Sequence, residues 1–473
     1  MLGRESEKRE LLELLEREES QFCAVYGRRR VGKTYLIRET FHYQFTFQHT
    51  GAANSTTKDQ LLLFRDSLQS SGLRRCKVPR SWREAFLRLE ELIEQSKDEK
   101  KIIFIDELQW MDTPRSHFIS ALEHFWNGWA TARKEKDIVL IVCGSSTSWI
   151  TTNILRNHGG LYGRLTQQIY LRPFTLAECE KYAQFNGIEL SRKELVELYM
   201  IMGGIPYYWS FLQRGKSMAQ NIDDIFFAPS AKLKNEFEDL YASLFKNKSA
   251  YISVVTALGK KKSGLTRDEI VENSGAENNG KLTDILKDLE QCDFVRKFNI
   301  YQRKNRGAVY QLMDNFSLFY FRYMANNTQR DEHFWSNSLS SQQHIVWAGL
   351  AFERVCMQHV AQIKKALGIS GVQTDYWTWS TPETDVHSAA QIDMLLDRRD
   401  GIINICEMKF SNAPFTIDKN YDIQLRQKMS TFREVSQTTK AIHLTLITTY
   451  GLERNKYSGI AQSEVTMDDL FVK

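Results

Sequence analysis

Residues 27 to 34 read Gly-Arg-Arg-Arg-Val-Gly-Lys-Thr, and this stretch decides the fold that the sequence predicts. It fits the pattern GxxxxGK[ST], with an apolar run from Phe22 to Tyr26 before it and an expected helix starting near Lys33. The two glycines let consecutive backbone N–H groups face a polyphosphate, and the N-terminal end of the helix is positively polarised. The pattern therefore predicts a phosphate-binding loop between a strand and a helix.

Each part of this loop has an expected role in binding ATP and Mg²⁺. Lys33 is expected to reach the β and γ phosphates, and Thr34 to place its hydroxyl on Mg²⁺. The alternative is a glycine turn in a basic loop. The residues expected to contact the nucleotide are Gly27, Arg28, Arg29, Arg30, Val31, Gly32, Lys33 and Thr34.

Two further apolar runs predict strands that carry the rest of this site. The run beginning at Ile102 ends in Asp106 and Glu107. Asp106 is expected to hold the Mg²⁺ shell, and Glu107 to orient and deprotonate the attacking water. The run from Ile138 to Cys143 ends in small polar residues. A hydroxyl there would sense the γ phosphate, although a plain turn fits equally well.

Composition limits the classes of protein that this chain can be. Its 473 residues are 42% hydrophobic, which is enough for about three domains with their own cores. The formal charge of +5 is small, so contact with nucleic acid would need local basic patches. The seven cysteines form no CxxC pair, and no apolar run reaches the length of a membrane span. We therefore expect a cytoplasmic protein with reduced thiols and no membrane contact.

The apolar periodicity predicts four regions along the chain. Short apolar runs alternate with amphipathic stretches over residues 1–172, which predicts an α/β fold with a parallel sheet. Residues 173–245 have helical spacing and predict a helical lid, in which Gly203-Gly204-Ile205-Pro206 ends one helix and starts another. Residues 246–325 predict three helices and a hairpin, hence a winged helix. Residues 340–473 predict a final α/β domain.

The predicted winged helix is rich in lysine and arginine. If these residues share a face, they predict contact with the DNA backbone, with protein contact as the alternative because acids are interleaved. The cations are Lys260, Lys261, Lys262, Lys281, Lys287, Arg296, Lys297, Arg303, Lys304 and Arg306.

Two acids in the last region suggest a second metal site. Apolar runs containing Asp393 and Glu407 flank Arg399-Asp400-Gly401, which predicts a hairpin. A three-residue loop places Asp393 opposite Glu407, with Lys409 on the same face, whereas a two-residue loop separates the acids.

Two carboxylates beside a lysine suit phosphodiester cleavage assisted by Mg²⁺ or Mn²⁺. In that case Asp393 and Glu407 would be metal ligands, Lys409 would stabilise charge on the phosphate, and Glu353 on a preceding helix would add an acid to the metal shell. The alternative is an exposed strand that bears a salt bridge.

The chain resembles a family of archaeal and bacterial ATPases related to the AAA+ and STAND groups of P-loop NTPases. The matching elements are Gly3-Arg4-Glu5, Gly27 to Thr34, Asp106-Glu107, Gly163-Arg164 and Gly203 to Pro206. The resemblance implies that Gly3-Arg4-Glu5 lies near the nucleotide base. Arg164 suits an arginine finger that acts in a neighbouring subunit of a homo-oligomer, or is a solvated arginine.

The last domain resembles the PD-(D/E)xK nuclease superfamily over residues 345–450. Together the two resemblances imply an ATPase that acts on DNA and has a nuclease-like domain. Two alternatives remain open. One is a nucleotide-switched regulator whose nuclease-like domain is inactive and binds DNA or protein, and the other is a chaperone-like remodeller of proteins.

Overall fold

The chain folds into two compact units, Met1–Pro173 and Phe174–Lys473, which we call the first and the second unit. The predicted wing cations Arg303, Lys304 and Arg306 lie outside the residues that the computed structural model describes. Those described are 3–156, 159–245, 247–298, 301, 308–325, 327, 331–339, 341–383 and 388–472.

The first unit is built on a five-stranded parallel sheet, as the α/β prediction requires. The strands run in the order β2-β3-β4-β1-β5. They are β1 Gln21–Tyr26, β2 Phe47–Thr50, β3 Lys101–Asp106, β4 Ile138–Gly144 and β5 Gln167–Tyr170. The three strands predicted from apolar runs are confirmed as β1, β3 and β4, whereas the four-residue strands β2 and β5 were not predicted because at least half of their residues are polar.

Helices complete the first unit and close its apolar core. The core includes Phe22 on β1 and the fully buried rings of Trp82 and Trp126. The helices are α1 Glu5–Glu16, α2 Lys33–Thr40, α3 Thr57–Ser70, α4 Trp82–Gln95, α5 Phe118–His124 and α6 Thr147–Ile150. Helix α2 begins at Lys33, which confirms the prediction.

The second unit begins with a run of helices. They are α7 Leu176–Phe185, α8 Arg192–Met202, α9 Pro206–Trp209, α10 Met218–Ile222 and α11 Glu236–Leu244. The predicted break is confirmed, since α8 ends at Met202 and Pro206 opens α9. Between them Gly203 has φ 58°, and a Cβ on Gly204 would lie 1.8 Å from the carbonyl oxygen of Phe174. No larger residue fits at Gly204 without a shift of the backbone.

The next region contains the predicted three helices and hairpin. Strands β7 and β8 pair antiparallel, and the additional two-residue strand β6 joins β8 to give the order β6-β8-β7. The elements are α12 Lys248–Gly259, β6 Leu265–Thr266, α13 Arg267–Ser274, α14 Gly280–Gln291, β7 Val295–Phe298 and β8 Val309–Leu312.

A second five-stranded sheet, of order β13-β12-β11-β10-β9, forms the last part of the chain. Strands β9, β10 and β11 are antiparallel neighbours, whereas β12 runs parallel to β11 and to β13. The helices before the sheet are α15 Asn315–Phe319, α16 Phe334–Ser338, α17 Gln342–Gln358 and α18 Val360–Ala366. The elements of the sheet region are β9 Thr374–Thr381, β10 Ala390–Arg398, β11 Ile402–Lys409, α19 Lys419–Ser436, β12 Ala441–Thr448 and β13 Ser463–Thr466.

The hairpin between β10 and β11 has the three-residue loop. Asp397 pairs with Ile403 and Met394 with Cys406, so Met394 does not pair with Glu407 as a two-residue loop would require. Gly401 has φ 87°, the left-handed backbone that closes such a turn. The structure thus selects the register that places Asp393 and Glu407 at opposed positions. Among the described residues, no helix is both long and apolar enough to cross a lipid bilayer.

Candidate functional site

The loop between β1 and α2 has a backbone that requires its glycines. Gly27 has φ 142°, and a Cβ there would lie 2.4 Å from the carbonyl oxygen of Leu171. Gly32 has φ 89° and immediately precedes α2. Both conformations are costly for residues with a side chain. The chain therefore curls at the point where the N-terminus of α2 directs its N–H groups into the loop.

Lys33 is buried against this loop. Its ammonium group donates hydrogen bonds to the carbonyl oxygens of Gly27 and Arg28, both at 2.9 Å. The Arg28 and Val31 side chains are also buried, and Arg29 and Arg30 are half-buried. The loop thus holds a fixed positive charge between the end of β1 and the start of α2, where a phosphate group would need one.

Thr34 and Asp106 come together although 72 residues separate them. The Thr34 hydroxyl donates to Oδ2 of Asp106 at 2.7 Å, and Oδ1 of Asp106 accepts the backbone N–H of Glu107 at 2.9 Å. A hydroxyl and a carboxylate are hard oxygen ligands of the kind that Mg²⁺ prefers. The two residues predicted to hold Mg²⁺ are therefore adjacent, and their chemistry fits the ion.

The Glu107 carboxylate, next in the sequence to Asp106, accepts hydrogen bonds from neutral groups. The backbone of Glu107 is left-handed, with φ 49° and ψ 47°, which costs energy and persists only where the surroundings enforce it. Oε2 of Glu107 accepts a hydrogen bond from the hydroxyl of Ser145 at 2.8 Å and another from the side-chain amide of Gln109. Ser145 directly follows β4, the neighbour of β3, so the small polar residues at that strand end do reach the site.

Gln109 was missed by the sequence analysis, because a glutamine two residues after an acid has no distinctive pattern. Two other residues predicted for the site are Arg164, which is exposed, and Arg4, which makes a structural contact. Arg164 is exposed on a turn before β5. Arg4 is buried and donates to the carbonyl oxygen of Arg172 at 2.6 Å.

A second group of charged side chains lies in the second unit. Glu353 on α17 and Asp393 on β10 share one lysine, Lys262, whose ammonium group is 2.8 Å from a Glu353 oxygen and 3.6 Å from Oδ2 of Asp393. Burial raises the pKa of Glu353 to about 7, and repulsion by Asp393 adds to this, while Lys262 opposes it. The predicted proximity of Glu353 and Asp393 is therefore observed.

Glu407 has different partners from Asp393. Its carboxylate accepts hydrogen bonds from the ammonium group of Lys428 and, at 3.2 Å, from the hydroxyl of Tyr421, both on α19. The Lys409 ammonium lies 5.0 Å from the centroid of the Tyr421 ring. Burial and the charge of Glu407 raise the pKa of Tyr421, so its hydroxyl keeps its proton and donates.

The predicted three-acid metal shell of Glu353, Asp393 and Glu407 is not formed. The described part of the chain contains no group of three or more His, Cys, Asp or Glu side chains arranged to hold a metal ion. Lys262 and Lys428 bind the carboxylates instead, and neither was predicted at this place. In addition, the pairing of β10 with β9 shifts by a bulge between Ile392 and Leu395, which interrupts the alternation of side chains at Asp393.

Among the described residues, several cations of the predicted winged helix are paired or buried rather than free on one basic face. The Lys261 ammonium pairs with Glu269, and Lys262 pairs with the acids described above. The Arg296 guanidinium lies 4.1 Å from the centroid of the Tyr376 ring, and burial lowers its pKa. Of the predicted cations that the structure describes, those that are exposed are Lys260, Lys261, Lys281, Lys287 and Lys297.

The amino-terminal part of the chain is similar to a known family of proteins. Residues 1–212 match a family described as an ATPase domain predominantly from Archaea. The chain is also 24% identical over 384 residues to an uncharacterised protein of Methanocaldococcus jannaschii, covering 77% of this chain and 78% of that protein. The first 212 residues are therefore similar to an ATPase domain of this family, in agreement with the predicted resemblance to P-loop ATPases.

Two solved structures are similar over a larger share of the chain. A Walker-type ATPase of Pyrococcus abyssi is 17% identical, with a TM-score of 0.49, over 68% of this chain and 96% of that one. The ORC2 protein of Aeropyrum pernix, solved in complexes with ADPNP and ADP, is 12% identical, with a TM-score of 0.40, over 71% of this chain and 94% of that one.

Proposed function

We propose that this chain binds ATP with Mg²⁺ at the phosphate loop of the first unit, hydrolyses it, and uses this cycle in an action on DNA. The observation that carries the proposal is the chain of hydrogen bonds from Thr34 through Asp106 to the backbone of Glu107, with Ser145 on the Glu107 carboxylate. These contacts support Thr34 and Asp106 as the two oxygen ligands for Mg²⁺, next in the sequence to the carboxylate of Glu107.

Each residue of the site has a separate role in phosphoryl transfer. Backbone N–H groups of the loop and the ammonium group of Lys33 bind the phosphates, while Thr34 and Asp106 hold Mg²⁺. When bound, this ion neutralises charge on the β and γ phosphates. Glu107 accepts a proton from the attacking water and orients it, because its carboxylate is fixed by Ser145 and Gln109.

The experiment compares binding with turnover in two variants. Lys33→Ala should weaken ATP binding, measured by calorimetry, because the loop loses its ammonium group. Glu107→Gln should still bind ATP but hydrolyse it about 10²-fold to 10⁴-fold more slowly, the usual contribution of a general base. The exposed residues Lys58 and Glu99 of the same unit provide matched controls, since Lys58→Ala and Glu99→Gln should change neither quantity. Unchanged hydrolysis in both site variants would exclude this site.

Arg164 is proposed to complete the site of a neighbouring copy in a homo-oligomer, because its side chain is exposed on a turn. An arginine finger contributes about 10³-fold or more to turnover. Arg164→Ala should therefore lose turnover and retain ATP binding. Mixing it with Glu107→Gln should restore part of the activity, since each variant supplies what its neighbour lacks. If mixing restores nothing and turnover does not depend on protein concentration, Arg164 does not act between subunits.

DNA binding is proposed for the region of α12 to β8, whose order of elements supports a winged helix. Helix α14 exposes Lys281 and Lys287, which are available for phosphate contacts. Replacing both with alanine should weaken binding to a short DNA duplex and reduce the slope of log affinity against log salt by about 2.

The triple variant of Arg303, Lys304 and Arg306 tests the predicted wing in the same assay. Lys58→Ala combined with Lys97→Ala, both exposed on the first unit, should leave the slope unchanged. If the wild-type chain binds no duplex even at low salt, this region is better interpreted as a protein contact.

The last region is proposed to be a nuclease-like domain of the PD-(D/E)xK type. Support comes from helix α17, the antiparallel strands β9 to β11, helix α19 and the parallel strand β12 in this order, with Asp393 and Glu407 at opposed positions. Wild type should cleave DNA with Mg²⁺ or Mn²⁺, and Asp393→Ala should not. If both are inert, the region serves as a binding platform and the chain is a nucleotide-switched regulator. ATP turnover stimulated by unfolded protein but not by DNA would instead favour a remodeller.

A further inference from the structure

Lys262 occupies a defined position between two acids from distant parts of the second unit. It lies between α12 and β6, and its ammonium group is within 2.9 Å of both carboxylate oxygens of Glu353. The same ammonium group is 3.6 Å from Oδ2 of Asp393. Glu353 is nearly buried, with 12% of its side chain exposed. One lysine therefore compensates two carboxylates that would otherwise repel each other.

The backbone of Lys262 is fixed as firmly as its side chain. Its carbonyl oxygen accepts a hydrogen bond from Nη2 of Arg354 at 2.5 Å and a second from Nε2 of Gln311 at 2.8 Å. Arg354 and Gln311 are both buried. Gly264, two residues later, has φ 82°, and a Cβ there would lie 2.6 Å from the carbonyl oxygen of Tyr310. The segment of residues 260–264 is thus held against α17 and β8, which sets the place of the ammonium group.

The neighbouring lysine shows that this placement is specific. The Lys261 ammonium pairs with Glu269 on α13, within its own helix and strand region, and both side chains are at least one-third exposed. Lys262 instead crosses to α17 and β10. Of two adjacent lysines, only Lys262 neutralises the acids that the sequence predicts as metal ligands.

We propose that Lys262 is a built-in competitor of divalent cations at Glu353 and Asp393, so that these acids bind a metal only after the segment of residues 260–264 leaves α17. This inference deepens the proposed nuclease-like function and rests on it for its biological meaning. An ammonium group and a metal ion that approach the same carboxylate oxygens repel each other, so the ammonium group of Lys262 weakens metal binding at Glu353 and Asp393. Removing the ammonium group should therefore expose a metal site in the full chain.

Metal affinity tests this directly and does not depend on cleavage. Mn²⁺ binding to the full-length protein, without added nucleotide, is measured by calorimetry in a Lys33→Ala background, which weakens the binding of residual ATP·Mn²⁺. Lys262→Met should bind Mn²⁺ at least tenfold more tightly than the Lys262 parent. Lys261→Met is the matched control and should bind like the parent. Lys262→Arg, which keeps the charge, should show no gain either.

The origin of the gain is checked by a second substitution. Asp393→Asn added to Lys262→Met should remove the tighter binding, whereas Asp106→Asn should leave it. Thermal unfolding verifies that each variant is folded, and Lys262→Gln replaces Lys262→Met if the latter is not. The proposal would be overturned if the uncharged Lys262 variant bound Mn²⁺ no more tightly than the parent. An equal gain in Mn²⁺ affinity in Lys261→Met would overturn it as well. Tight Mn²⁺ binding without DNA cleavage would retain the competition by Lys262 and reject only the nuclease function.

Discussion

The two units present acids on strands of a sheet but hold them in opposite ways. In the first unit Asp106 and Glu107 follow one another at the end of β3, and all the contacts described above come from neutral groups. In the second unit Asp393 and Glu407 lie at opposed backbone positions on β10 and β11, and each contacts a different lysine. The types of acid are the same, but their surroundings are not.

This difference determines what each group of acids is ready to bind. A hydroxyl or an amide fixes a carboxylate and leaves its negative charge uncompensated, which is what a divalent cation requires. An ammonium group fixes the carboxylate and also cancels its charge. The carboxylates of the first unit are therefore the better suited to the proposed Mg²⁺, whereas under our proposal those of the second unit must first lose Lys262 or Lys428. An acid at a strand end is thus insufficient evidence for a metal site until its partners are known.

The largest expected difference in ATP turnover is between two aspartate-to-asparagine variants, one in each unit. Asp106→Asn keeps the shape of the side chain but removes the charge proposed to bind Mg²⁺, so ATP turnover should fall about 10³-fold, as expected for loss of several kcal/mol of metal stabilisation. Asp393→Asn should leave ATP turnover unchanged. The measurement is steady-state hydrolysis across a Mg²⁺ titration.

Excess Mg²⁺ serves as the internal control for this pair. It should restore part of the activity of Asp106→Asn, because the lost ligand weakens metal binding more than it affects the remaining residues. If both exchanges reduce hydrolysis equally, the acids of the second unit are part of the ATPase cycle and the contrast between the units is wrong.

The first site was predictable from the sequence because most of its parts are contiguous. Residues 27–34 lie on one loop, and its spacing specifies both the turn and the helix that follows. Asp106 could be added because parallel strands end at the same edge of a sheet, so an acid there is near a loop at the end of β1. Strands β1, β3 and β4 were predictable from their apolar runs, and the hairpin from its turn, but the sequence left two loop lengths open and the structure selects the register.

The partners of the acids were not predictable, because they depend on contacts between distant elements. Lys262 precedes Glu353 by 91 residues, and in the sequence it is one of three consecutive lysines with nothing to distinguish it. Lys428 lies on an amphipathic helix, where a lysine normally contacts solvent. The bulge near Asp393 also leaves no signal in the apolar pattern. Tertiary packing, not local spacing, decides which cation reaches which carboxylate.

The stability of the second unit at acid pH depends on a buried histidine, His359, which is neutral in the folded chain. The His359 ring accepts the backbone N–H of Leu176 on Nε2 at 3.1 Å and donates from Nδ1 to the carbonyl oxygen of Val355 at 2.8 Å. Burial lowers the pKa of His359 from 6.5 to about 4. The unfolded chain therefore takes up this proton first as the pH falls. The stabilisation is complete above pH 6.5 and is lost towards pH 4, by about 3 kcal/mol in total.

Urea unfolding of the full chain at several pH values measures this effect. The free energy of unfolding of the second unit should decrease with falling pH in wild type, and the decrease should be smaller in His359→Gln. His333→Gln, at an exposed position of the same unit, is the control and should follow wild type. If the free energy of unfolding of His359→Gln falls with pH as steeply as that of wild type, this ring does not determine the acid sensitivity of the unit. Carboxylates and their lysine partners would then determine it.

The smallest expected effect concerns the neutral donor that distinguishes the first site. Ser145→Ala removes the hydroxyl 2.8 Å from Oε2 of Glu107 and leaves the carboxylate to Gln109 alone. A hydrogen bond to a charged group is worth about 1.5 kcal/mol or more, so kcat for ATP hydrolysis should fall about tenfold. KM should not change, because Ser145 positions Glu107 and does not hold ATP, and Ser145→Thr should retain most of the rate. A rise in KM with unchanged kcat would instead mean that the Ser145 hydroxyl contacts the γ phosphate. In that case Glu107 would be oriented by its left-handed backbone and by Gln109, and the Ser145 hydroxyl after β4 would belong to nucleotide binding.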